Sequence, residues 1–99
     1  MNKFGLPDRT IKELIEYFSS KPDIEKVIIF GSRAKNTHKL GSDIDFAIIT
    51  DNHEYFHRIS DDLEQLPTPY KFDVIDYKTI TQENMLKSID QYGQIFYQR

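Results

Sequence analysis

Gly31-Ser32-Arg33-Ala34-Lys35-Asn36-Thr37-His38-Lys39-Leu40-Gly41-Ser42-Asp43-Ile44-Asp45-Phe46 is the stretch on which the reading of this chain turns. Two carboxylates two residues apart on a strand project from one face, because side chains alternate with a period of two. Ile44, Phe46 and Ile48 take the opposite face, and all three are apolar, so that face is the packed one. Asp43 and Asp45 then stand together on the other face, where the sequence supplies no neutralising partner. Like charges held that close repel, and burying either alone is costly. A divalent cation resolves both problems. Oxygen ligands without His or Cys point to magnesium, with manganese the variant, rather than zinc.

Asp73 has the same phase. In Phe72-Asp73-Val74-Ile75, Phe72 and Val74 share one face and Asp73 takes the other. If both strands pack their apolar faces on the same helices, Asp73 joins Asp43 and Asp45, and three carboxylates can hold two metal ions for in-line displacement at phosphorus. Asp76 has the opposite parity and is left out. Gly31-Ser32 reads as a phosphate cradle, a strand running into a tight turn whose glycine lets backbone N–H groups approach phosphate oxygens. A short helix starting near Ser32 adds its positive end. Arg33, Lys35 and Lys39 place positive charge nearby.

Outward from this stretch, helical and strand patterns alternate. Pro7 and Asp8 precede Ile11, Leu14, Ile15 and Phe18, whose spacing marks one buried helical face. Lys21-Pro22-Asp23 breaks that helix. Val27-Ile28-Ile29-Phe30 suits a strand covered on both faces. A second strand covers Ile44 to Ile49. A second helix runs from about Asn52 to Leu66 with Phe56, Ile59 and Leu63 inward, until Pro67 and Pro69 stop it. A third strand covers Phe72 to Ile75 and a third helix runs from about Thr81 to Gln91. Gly93 reads as its C-terminal cap, releasing an extended tail from Gln94 to Tyr97. The expectation is one small α/β or α+β domain over residues 1–99.

Composition bounds the function. The chain has 99 residues, 38% hydrophobic and 29% charged, with a net charge of −3 and no cysteine. The absence of cysteine excludes disulfides and thiolate metal sites. With no run of Lys or Arg, direct nucleic-acid binding is not expected. The apolar runs are too short to span a membrane and no signal peptide is visible, so the expected setting is the cytoplasm.

Gly31-Ser32, ten residues, then Asp43-x-Asp45 resembles the signature of the DNA polymerase β nucleotidyltransferase superfamily. Gly31-Ser32-Arg33-Ala34 and Gly41-Ser42-Asp43-Ile44-Asp45 resemble its minimal nucleotidyltransferase (MNT) branch, and the likeness runs from the first helix to the Gly93 tail. The resemblance implies a small mixed sheet with helices packed on one face. It also implies metal-dependent transfer of a nucleoside monophosphate from a triphosphate such as ATP. Asp43 and Asp45 would bind both Mg²⁺ ions, and Asp73 the catalytic one while helping deprotonate the acceptor. Gly31 and Ser32 would hold the β- and γ-phosphates, with Arg33 and Ser42 completing the nucleotide-binding set. Many relatives have Gly at the position of Asn36. Asn is the next best residue for a left-handed backbone, so the loop is expected to be preserved.

MNT proteins of this size resemble partners of all-helical HEPN-type proteins in two-gene modules. There the MNT protein acts as antitoxin by transferring AMP to a tyrosine of the helical toxin. The resemblance thus implies a protein acceptor and a homo- or hetero-oligomer. Two other readings stay open: transfer to a small molecule presented by a separate subunit, and an antitoxin acting by contact alone.

His53-Glu54-Tyr55-Phe56-His57 matches the zinc-peptidase pattern H-E-x-x-H. With Phe56, Ile59 and Leu63 inward, His57 falls off the buried stripe, and no third ligand follows. Two surface histidines are the expectation. Tyr17, Phe18, Phe46, Phe56, Phe72 and Phe96 sit in apolar patterns and read as core.

Overall fold

The computed structural model describes residues 3–99. Four helices alternate with four strands: α1 (Asp8–Ser19), β1 (Ile24–Phe30), α2 (Gly31–Ala34), β2 (Ile44–Thr50), α3 (His53–Glu64), β3 (Phe72–Asp76), α4 (Glu83–Tyr92) and β4 (Gln94–Gln98). A single 3-10 turn, Tyr77–Thr79, links β3 to the segment before α4. The strands form one mixed sheet in the order β3-β2-β1-β4, with β2 and β3 parallel and the other two pairs antiparallel.

Parity along each strand divides the core as the sequence pattern requires. Val27 and Ile29 of β1, Ile44, Phe46 and Ile48 of β2, and Phe72 and Val74 of β3 face α1 and α3. There they meet Leu14 and Phe18 of α1 and Ile59 and Leu63 of α3, all fully buried. Each such burial contributes roughly 1.5–3 kcal/mol. Phe46 is the hub of this layer, with Phe18 edge-on at 5.4 Å, Phe96 at 5.0 Å and Phe72 stacked at 6.0 Å. It is the residue directly after Asp45, so the packing that fixes its ring also fixes the backbone that aims the carboxylate. Asn52 caps α3 by accepting the Tyr55 N–H at 3.3 Å.

Two features depart from the sequence reading. Helices were expected on one face, yet α4 lies across the other, where Ile89 and Met85 cover Ala47, Ile28, Phe30 and Ile75. Those residues share the carboxylate face but sit further along the strands, and their apolar surface needs its own cover. The tail after Gly93 is a strand, pairing antiparallel with β1 from Gln94 to Gln98. Gly93 does end α4, but with φ −64 and ψ 147 rather than in a left-handed cap. Glycine is needed there for space, since a Cβ would fall 2.3 Å from the Ile89 carbonyl oxygen and 2.7 Å from Ile28 Cγ2. No helix among the described residues is long and apolar enough to cross a membrane.

Candidate functional site

The parallel pairing of β2 with β3 sets Asp45 directly beside Asp73, Cα opposite Cα. Both point to the face away from α1 and α3, as their parity demands. Asp43 lies just before β2, and the three carboxylates are close enough to act on one another. Burial, then Asp73, then Asp43 push the Asp45 carboxyl up to about 6, and Arg33 opposes the rise without cancelling it. Asp43 and Asp73 are exposed, and their carboxylates take part in no ion pair or hydrogen bond among the described residues.

Gly31 closes the other side of Asp45. Phe30 pairs with Asp45 across β1 and β2, and the chain then turns at Gly31 with φ 73 into α2. A Cβ on residue 31 would lie 2.1 Å from Asp45 Oδ2. Glycine is thus required twice, by the left-handed backbone and by the carboxylate occupying the space of a side chain. The first N–H groups of a helix have no intrahelical acceptors, and here they open beside the carboxylates. The half-buried Ser32 hydroxyl makes no hydrogen bond among the described residues.

The loop back to β2 is held by local geometry. Asn36 adopts φ 60, the left-handed conformation in which Asn substitutes for Gly. The Ser42 hydroxyl accepts the Lys39 N–H at 2.8 Å, so it shapes this loop immediately before Asp43.

Arg33 requires a correction. Its sequence position suggests a phosphate contact, but the side chain is 3% exposed. Nη1 donates to the carbonyls of Phe4 at 3.0 Å and Gly5 at 3.3 Å, and Nη2 to the Ser42 carbonyl at 2.8 Å. The guanidinium also lies 5.1 Å from the centre of the Tyr70 ring. Its charge is felt by Asp45, while its donors tie the N-terminal segment to the loop before β2. Lys35 is also engaged, with Nζ 5.0 Å over the Tyr92 ring.

A cleft of about 450 Å³ opens beside the carboxylates, lined by Asp43, Glu64, Tyr70, Lys71, Phe72 and Asp73. Tyr70 and Lys71 line it without having been singled out in the sequence. Lys71 carried a signal, because it shares the parity of Asp73. A larger hollow, about 520 Å³, lies at the far end of β3 between α3 and α4 and includes His53, His57 and Asp76. His53 begins α3, and its Nδ1 lies 2.5 Å from Asp76 Oδ2, while His57 is exposed. That hollow contains none of Asp43, Asp45, Asp73 and Gly31, whereas the smaller cleft is lined by Asp43 and Asp73.

The donor set suits a hard cation. All three groups are carboxylates, they are unpaired, and their mutual repulsion is what a cation relieves. Among the described residues no three His, Asp or Glu side chains converge into a ready-made metal cage. Magnesium needs none, because it takes one or two carboxylates and completes its shell with water and substrate phosphates. The arrangement therefore fits an ion that binds together with a triphosphate.

The profile of the family described as Polymerase beta, Nucleotidyltransferase matches residues 12–99. No sequence among curated proteins matches the chain. Among solved structures, a chain of a toxin–antitoxin complex with AMP-PNP aligns at 18% identity and TM-score 0.62, over 95% of this chain and 75% of that one. A chain of the complex between tri-AMPylated Shewanella oneidensis HEPN toxin and MNT antitoxin aligns at 14% identity and TM-score 0.58, over 92% and 71%. A Sulfolobus solfataricus protein assigned as a nucleotidyltransferase aligns at 24% identity and TM-score 0.52, over 92% and 77%. At these identities the likeness carries the fold.

Proposed function

We propose that this chain, which belongs to the Polymerase beta nucleotidyltransferase family, transfers AMP from ATP to a tyrosine hydroxyl of a helical HEPN-type partner and acts as its antitoxin. The observation that carries the reading is the glycine turn at Gly31, just after β1, pressed against the Asp45 carboxylate, which in turn stands beside Asp73 on the neighbouring strand. The structural relatives named above, a toxin–antitoxin complex with AMP-PNP and a complex of AMPylated HEPN toxin with MNT antitoxin, support the choice of AMP and of a protein acceptor.

In this reading Gly31 and Ser32 receive the β- and γ-phosphates, through backbone N–H groups and the free Ser32 hydroxyl. Asp43, Asp45 and Asp73 would hold two Mg²⁺ ions, which supply charge neutralisation at the phosphates when bound. Asp73 orients the acceptor hydroxyl and takes its proton. Arg33 contributes by holding the loop that carries Ser42 and Asp43. Positioning is the main contribution to such transfers, which is why the rigid Phe46 layer beneath Asp45 matters.

The test is to mix the protein with the helical chain encoded beside it, magnesium and ATP labelled at the α-phosphate. Label should appear on a tyrosine of the partner and be absent with Asp43→Asn and Asp45→Asn. Neutralisation that persists in both variants without label would establish contact-only inhibition instead. Label on an added small hydroxyl compound alone would establish a small-molecule transferase.

A further inference from the structure

The helix α2 is a single turn of four residues, Gly31 to Ala34. A lone turn does not hold its own shape, because its first hydrogen bond costs the freedom of several residues. What holds it is found by asking where its four carbonyls go. The Gly31 carbonyl accepts the Lys35 N–H at 3.2 Å, the Ser32 carbonyl the Thr37 N–H at 2.9 Å and the Arg33 carbonyl the Asn36 N–H at 3.4 Å. All three donors lie in the loop that follows, so these bonds close the turn on itself. The Ala34 carbonyl receives no backbone N–H among the described residues. Its donor is Gln94 Nε2, at 2.9 Å and 60 residues away.

Gln94 is fixed at its backbone as well. It pairs with Ile29 of β1, two residues before Gly31. One residue therefore holds both arms of the glycine turn, its main chain on the strand that enters and its side chain on the last carbonyl of α2. The approach depends on Gly93, where a Cβ would meet Ile28 Cγ2 at 2.7 Å and keep the end of α4 off β1. Lys35 adds a second tie to the same segment, with Nζ 5.0 Å from the centre of the Tyr92 ring at the end of α4.

We infer that Gln94 is a positioning residue for the glycine turn: by joining Ile29 to Ala34 it sets the angle between β1 and α2, and with it the direction of the Gly31 and Ser32 N–H groups. It acts through the turn and not by contact with phosphate. Only a donor serves at this point, because a carbonyl can only accept. The consequence for ATP rests on the nucleotide reading proposed above, whereas the hold on the turn does not.

Two variants remove the donor at nearly constant length, Gln94→Met without charge and Gln94→Glu with one. Gln94→Lys keeps an N–H donor, and Gln98→Met changes the other glutamine of β4, whose side chain makes no hydrogen bond among the described residues. In amide NMR of the nucleotide-free protein, Gly31 and Ser32 should shift in Gln94→Met and Gln94→Glu and return towards wild type in Gln94→Lys. Gln98→Met should leave them in place. The MgATP Kd should rise about fivefold in Gln94→Met, the scale of one hydrogen bond, and stay unchanged in Gln98→Met. Gly31 and Ser32 amides that stay in place in both donor-free variants would overturn the assignment. So would shifts spread evenly over the sheet that Gln94→Lys fails to reverse, since these mark a residue that is only structural. Wild-type protein that binds no MgATP would remove the nucleotide reading, while the shifts at Gly31 and Ser32 would still establish the hold of Gln94 on the turn.

Discussion

The Asp45 carboxylate occupies the space that a side chain on residue 31 would fill, its Oδ2 only 2.1 Å from an ideal Cβ there. The glycine turn and the acidic centre are therefore one packed unit rather than two neighbouring motifs. Gly31→Ala must both strain a backbone at φ 73 and displace Asp45. The strain alone costs of order 1–3 kcal/mol. The variant should melt lower and bind MgATP about tenfold more weakly or worse, a loss of roughly 1.4 kcal/mol in binding. Calorimetric titration checks this, and unchanged affinity would mean the turn does not shape the site.

The pH dependence of the metal-free protein follows from the same carboxylate. In the fold Asp45 is pushed up to about 6 from an ordinary value of 3.8, by burial first and by Asp73 and Asp43 next. The folded state therefore holds the proton more tightly than the unfolded chain. The stability this confers is complete below about pH 4 and is lost as pH rises through about 6. Asp45→Asn removes the titration. In chelator, the melting temperature of wild type relative to that variant should fall between pH 4 and pH 7. An unchanged difference across that range would show that Asp45 is not strained. Magnesium competes with the same proton, so MgATP affinity should weaken below pH 6.

Asp73 stands beside Asp45, on the strand away from Gly31. If its part is to orient and deprotonate the acceptor, Asp73→Asn should lower kcat by about a hundredfold or more, the usual scale of general-base loss. ATP affinity should change far less. Single-turnover transfer and separate nucleotide titration divide the two effects. Weakened binding with a normal maximal rate would contradict the assignment.

What could be read in advance was local. The phases of Asp43, Asp45 and Asp73, the glycine turn and the left-handed Asn36 follow from periodicity and single-residue backbone preference, and the family match over residues 12–99 agrees with the resemblance they suggested. Relations between distant segments were not legible. The exchange of α4 to the second face depends on how much of Ala47, Phe30 and Ile75 remains to be covered. The edge strand β4 mixes an exposed Ile95 with a buried Phe96, a pattern too short to read as sheet. The Arg33 carbonyl partners Phe4 and Gly5 lie 29 and 28 residues away, and nothing in Gly-Ser-Arg-Ala announces them.

Arg33 supplies the last prediction, because its charge and its geometry argue for different roles. A cation two residues after Gly31, the glycine proposed to receive phosphate, invites a contact with the triphosphate. The side chain instead satisfies three carbonyls in a buried setting, and a guanidinium reaches them through its planar fork. Lysine carries the same charge but has one ammonium, which cannot span Phe4, Gly5 and Ser42 together. Arg33→Lys should therefore destabilise the protein by about 2–4 kcal/mol, the cost of leaving charge-assisted bonds in the interior unmade. Proteolysis should begin in the segment before α1, once its tie to the loop is gone. Below the melting transition, MgATP affinity should stay within about threefold of wild type, since less than 1 kcal/mol of binding is at stake when the side chain does not touch phosphate. Denaturation and nucleotide titration on the same preparation decide between the roles. A large loss of affinity without loss of stability would place the guanidinium on the phosphates after all.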